Sequence, residues 1–202
     1  MVEHCARKSR TKSVLNDCYR QNLLNRTTRK KVRMSMTELF QAELEREAAS
    51  TRRVLERVPE GRNDWKPHER SMPMGYLAAL VATMPSWVAM MITQDELDFT
   101  RRTTTSFHPQ VQNSRDGLLK LLDDSVKMAR EALAGTNDEH LLRNWRFRVG
   151  DHVVDERPCH IMMRDAVFSH LAHHRGQLTV YLRLNDAPVP AIYGPSADEG
   201  KI

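Results

Sequence analysis

The stretch Val167–Leu184, reading VFSHLAHHRGQLTVYLRL, carries the residues best spaced for chemistry. His170 and His174 stand four apart, so on a helix they share one face with Cβ atoms about 6 Å from each other, near enough to chelate one metal ion. Strong helix formers dominate and proline is absent, which predicts about five helical turns. Met163 and Val167 continue the face on one side and Gln177 and Tyr181 on the other, whereas His173 points about 100° away. The spacing fits a chelating pair and equally fits two core histidines, each bonded to a carbonyl.

Such a pair needs a scaffold, and the hydrophobic periodicity supplies one. Ser35 or Thr37 caps a first helix that runs to about Val58, with Phe40, Leu44, Ala48, Thr51, Leu55 and Val58 turned inward. A second helix starts at Pro73, buries Leu77, Leu80, Met84 and Trp87, and is kinked by Pro85. Residues 95–113 turn polar and read as a long surface connection. A third helix spans Ser114–Ala134 with Gly135 as its stop. Within Asn144–Arg157, Trp145, Phe147 and Val149 alternate ahead of a Gly150–Asp151 turn, which predicts a short hairpin. The histidine helix opens near Pro158 and ends near Asn185, and Pro188, Pro190, Gly194 and Pro195 leave an extended tail. The expected fold is all-α: an up-down four-helix bundle with a short β-hairpin before the last helix and an extended C-terminal tail. Sites in such bundles lie on the central seam, where facing helices converge.

Charge divides the 202 residues unevenly. Residues 1–36 hold ten Lys and Arg against Glu3 and Asp17, and the remaining 21 Lys and Arg face 24 acids, although the chain as a whole carries +5. The basic excess therefore describes a tail and not a binding face, which argues against nucleic acid as a partner. Residues 1–35 are expected to be a disordered basic tail, or a product of start-site assignment if translation begins at Met34 or Met36, with the bundle domain over 36–202. Cys5, Cys18 and Cys159 are too few and too scattered for a disulfide framework or a thiolate zinc site. No apolar run approaches the roughly 18 residues of a membrane span, the nearest being Leu77–Ile92, and the N-terminus lacks a signal-peptide apolar region. A cytoplasmic protein without membrane contact is expected.

The segment HLAHHRGQLTVYLRLNDAPVPAIYGPSADE, together with SMPMGYLAALVATMPSW of the second helix, resembles the DinB/YfiT-like superfamily, which is unrelated to the DNA polymerase sharing the DinB name. The likeness covers about Met36 to Glu199. It implies an up-down four-helix bundle, often a homodimer, with a divalent ion such as zinc or nickel on three histidines, two from the last helix and one from the second. Relatives include thiol S-transferases and an isomerase that use low-molecular-weight thiols such as bacillithiol or mycothiol. The last-helix pair falls on His170 and His174. After Leu77-Ala78-Ala79, where the family places its third histidine, this chain has Leu80.

The resemblance thus implies a divalent-metal-dependent enzyme acting on a small molecule, a thiol S-transferase or hydrolase, with an incomplete histidine triad. The alternative is a metal-free, non-enzymatic small-molecule-binding or stress-related bundle. In the enzymatic reading a metal-bound thiol is presented as thiolate. Gln177 and Tyr181 orient substrate or a ligand histidine, and Arg175 and Arg183 receive carboxylates of the thiol; the alternatives are a surface salt bridge for Arg183 and a packed core ring with a satisfied hydroxyl for Tyr181. Gly176 is expected where a neighbouring helix approaches closely. His68 and His108 have no spacing in their favour, and His160 lies about 15 Å from His170 along the axis, too far to share an ion.

Overall fold

Ser35 opens the first helix with a capping box: its hydroxyl accepts the Glu38 N–H at 3.1 Å, and the Glu38 carboxylate accepts the Ser35 N–H at 2.7 Å. In the computed structural model this helix, α1, spans Met36–Leu55. The described residues are 34–100 and 109–200, so the expected basic tail up to residue 33 and His108 lie outside them. The regular helix stops three residues before the expected Val58, although Val58 is buried all the same.

Met74–Thr83 forms α2, Met84–Ser86 a 3₁₀ turn, and Trp87–Thr93 α3. The turn replaces the expected kink, because Pro85 lacks the N–H that an α-helical hydrogen bond requires. Every residue of α2 except Tyr76 is buried. This corrects the expectation on apolar length: Met74–Thr93 is one 20-residue helical run of mean hydropathy 1.5, long and apolar enough to cross a membrane. Protein covers it instead, since 72% of that window is buried in the core, and a helix apolar all round belongs there.

The polar stretch after α3 is not all surface connection. Glu96–Asp98 forms β1, a strand parallel to β2 (Asn144–Val149), which in turn pairs antiparallel with β3 (His152–Pro158). The hairpin is present with Gly150 at its turn in the left-handed region, φ 60°. The sheet gains a third strand because Glu96 aligns with Arg146, fifty residues on, and three residues carry no alternation of their own to announce it. The fold is therefore mostly helical with a small three-stranded sheet, ordered β1-β2-β3.

Between the first two strands run α4 (Arg115–Ala134), with Ser114 as its cap and Gly135 as its stop, and the four-residue α5 (Asp138–Leu141). The second was not anticipated; Asp138 within it accepts the Met36 N–H at 3.0 Å and so ties α5 to the start of α1. The histidine helix is divided into α6 (Cys159–Met163), a π-helical turn over Arg164–Ser169, and α7 (His170–Leu184). α1 packs on α4 and α7, and α2 packs on α4 and α7, enclosing one apolar core. The residues after α7 form no regular element and are clamped back by ion pairs of Glu199 with Arg53 and Arg57, and of Asp198 with Arg183.

Candidate functional site

The π-helical turn directly before His170 widens the backbone and loosens its hydrogen-bond ladder, a distortion frequent at functional sites. One ring nitrogen of His170 bonds the Ala166 carbonyl inside that turn. One turn later the Nδ1 of His174 bonds the Gln177 Oε1 at 2.8 Å; an amide oxygen only accepts, so Nδ1 carries the proton and Nε2 keeps its lone pair. The two rings lie 4.4 Å apart, centroid to centroid, with His174 buried and His170 half-buried.

Burial depresses the pKa of both imidazoles. For His170 the neighbouring His174 adds to the effect and the Ala166 carbonyl opposes it, while for His174 the Gln177 bond opposes it. Both are neutral at pH 7, with an acceptor nitrogen each. His173 is exposed, yet its ring comes within 5.0 Å of His174, so the turn carries three neighbouring imidazoles where the helical angle had set one apart.

The second helical segment provides no donor opposite them. Trp87 at the start of α3 stands 6.0 Å from the His170 ring, and at the other end the Tyr181 hydroxyl donates to the Met72 carbonyl at 3.0 Å. These two contacts run the α2–α3 segment antiparallel to α7. Leu80, seven residues before Trp87, and Gln177, seven after His170, both lie about 10 Å from the Trp87–His170 contact, so Leu80 sits level with the His174–Gln177 turn. It is 8% exposed. Tyr181 also meets Trp65 edge-on at 5.5 Å, so its ring is a packed core group with a satisfied hydroxyl.

The expected roles of Arg175 and Gly176 are corrected, and Arg183 makes the expected salt bridge. Arg175 is buried, donating to the Glu47 carboxylate at 2.6 Å and to the Thr51 hydroxyl and Glu47 carbonyl at 3.1 Å, and so does not receive a cofactor carboxylate. Arg183 is engaged by Asp198. Gly176 is exposed with nothing within 4 Å of where a Cβ would stand, so no neighbouring helix approaches it. His160 bonds the Leu141 carbonyl through Nδ1 at 3.0 Å.

A cleft of about 530 Å³ opens beside His170, between α3, the sheet and the π-helical turn. Trp87, Phe99, Trp145, Phe147 and Met162 line it together with His170. Its charged groups pair with each other: Arg157 donates to Asp155 at 2.7 Å and to Asp165 at 2.7 Å. The alternation of Trp145 and Phe147 was legible as a strand, but nothing local says that the strand faces a histidine twenty-odd residues on.

The described residues align with the crystal structure of the DinB-like protein YjoA from Bacillus subtilis at a TM-score of 0.56 and 19% identity, over 74% of this chain and 94% of that one. The fold is DinB-like. A DinB-like protein from Bacillus cereus ATCC 10987 gives the same TM-score at 20% identity, covering 73% of this chain and 91% of that one. No protein-family model matches the chain, and no curated protein matches it. Identity this low carries the DinB-like fold and leaves the site to be judged on its own residues.

Those residues do not complete a three-histidine centre. Among the described residues no three of His, Cys, Asp or Glu are grouped to hold an ion. The helix opposite the pair offers an aliphatic chain and an indole, neither of which ligates zinc or nickel.

Proposed function

We propose that this chain is a small-molecule-binding protein on the DinB-like fold, built as an up-down four-helix bundle, in which His170 of the histidine pair meets the bound molecule directly. The observation that carries this reading is the position of His170: it forms part of the wall of a ligand-sized cleft. A neutral imidazole with one nitrogen tied to the backbone offers the other as a fixed hydrogen-bond acceptor.

A metal-dependent transferase or hydrolase is the second reading, favoured by one observation. Each imidazole has one nitrogen held by a protein carbonyl or amide oxygen, the arrangement that orients histidine ligands in metal sites. Metal analysis of untagged protein, purified without chelator, separates the two. Substoichiometric metal and a melting temperature indifferent to EDTA are expected; one ion per chain, lost in His174→Ala, would overturn the first reading.

A further inference from the structure

We infer that the cleft between α3, the sheet and the π-helical turn takes a neutral, flat aromatic molecule carrying one N–H or O–H donor for His170. The inference rests on the small-molecule reading above and assigns its ligand class. A volume of about 530 Å³ matches the range of small-molecule sites, roughly 300–1,000 Å³. Four aromatic rings, Trp87, Phe99, Trp145 and Phe147, line it; Phe99 and Phe147 meet edge-on at 6.0 Å, the geometry in which a further aromatic ring also packs on them.

Charge weighs against an anion among the described lining residues, where two carboxylates face one guanidinium. Among the described lining residues the cation is Arg157, and it is held from two sides by Asp155 and Asp165. An anion entering the cleft would shed water without gaining an unengaged cation among the described residues, and a cation would have to share carboxylates already bonded to Arg157. His170 has one ring nitrogen on the Ala166 carbonyl, so the other accepts one hydrogen bond from the ligand.

Two dyes on one anilinonaphthalene frame test the assignment on the full chain: N-phenyl-1-naphthylamine, neutral with one N–H, and 8-anilinonaphthalene-1-sulfonate, which adds a charged sulfonate. Fluorescence titration is expected to show one saturable site for the neutral dye, bound at least about tenfold more tightly than the sulfonate. Ala166→Phe, which fills the cleft, and Val154→Trp, at its half-exposed rim, are each expected to weaken the neutral dye about tenfold or more. Should Ala166→Phe unfold the protein, Val154→Trp decides, because its larger side chain has solvent to occupy. A sulfonate bound as tightly as the neutral dye overturns the ligand class. Binding that ignores both substitutions places the site elsewhere and overturns the cleft, while leaving the small-molecule reading standing. A wild-type protein that binds neither dye also overturns the cleft assignment. Stoichiometric metal in the separate analysis brings down the parent reading.

Discussion

Arg175 on α7 and Glu47 on α1 meet inside the core, guanidinium to carboxylate at 2.6 Å, with side chains 1% and 4% exposed. The Tyr193 hydroxyl donates to the same carboxylate at 2.6 Å, so the C-terminal segment closes over the pair. One residue along a helix is about 100° around it. With Arg175 fixed against α1, His174 is turned toward its own side of α7, and the rotation of the histidine helix is set by an ion pair adjacent to the site.

Breaking that pair leaves a buried charge alone. Arg175→Leu is expected to cost about 3–5 kcal/mol, and the double replacement Arg175→Met with Glu47→Met much less, because no orphaned charge is left. Urea unfolding of the single and double variants measures the difference.

Glu47 sets an acid limb. Burial pushes its pKa up, but the Tyr193 and Arg175 hydrogen bonds outweigh burial and hold it below the usual carboxylate value. A carboxylate whose folded pKa is depressed stabilises the fold above its unfolded pKa, near 4.5, and that stability is lost as pH falls through the folded value. Glu47→Gln is expected to flatten the fall in melting temperature below that pH.

Cys159 acts at the other end of the scale, since burial pushes its thiol up from 9.0 to about 11. Between these values the unfolded chain ionises at Cys159 and the folded chain does not, so the unfolded state gains and stability falls as pH rises. Melting curves from pH 8 to 11 are expected to show a shallower alkaline decline in Cys159→Ala.

Gly176 stands exposed in the middle of α7 with open space around it. Gly176→Ala is expected to stabilise the protein by about 0.5–1 kcal/mol, the helix propensity difference, since no neighbour must move. A rise in melting temperature checks it, and a fall would reveal an interface that uses the missing side chain.

Leu80→His puts an imidazole on α2 at the position after Leu77-Ala78-Ala79. Zinc affinity is expected to rise by orders of magnitude over wild type, read by calorimetric titration of untagged protein, as a third imidazole completes the donor set. An unchanged affinity would mean that α2 and α7 do not converge at Leu80.

Helix limits and the histidine pair were legible because they are local. Ser35 with Glu38, and Ser114 with Gly135, state where helices begin and stop, and a spacing of four fixes two rings on one face. The strand at Glu96–Asp98 was not, having three residues and a partner fifty positions away. Arg175 differs from its expected role for a related cause: a guanidinium suits any carboxylate, and the one it meets lies about 120 residues earlier, across the core.

By itself the sequence determined the long helices, the direction each buries, the hairpin turn and a pair of imidazoles one turn apart, all of which follow from dihedral preference and periodicity within a few residues. Tertiary structure alone decided what stands opposite them. It set Trp87 beside His170, drew Glu47 onto Arg175, left Gly176 uncovered, and made a cleft from residues spread between Trp87 and His170. Spacing along a chain fixes an angle about a helix axis; the neighbour met at that angle depends on how several helices share one core and which charges lose their water together.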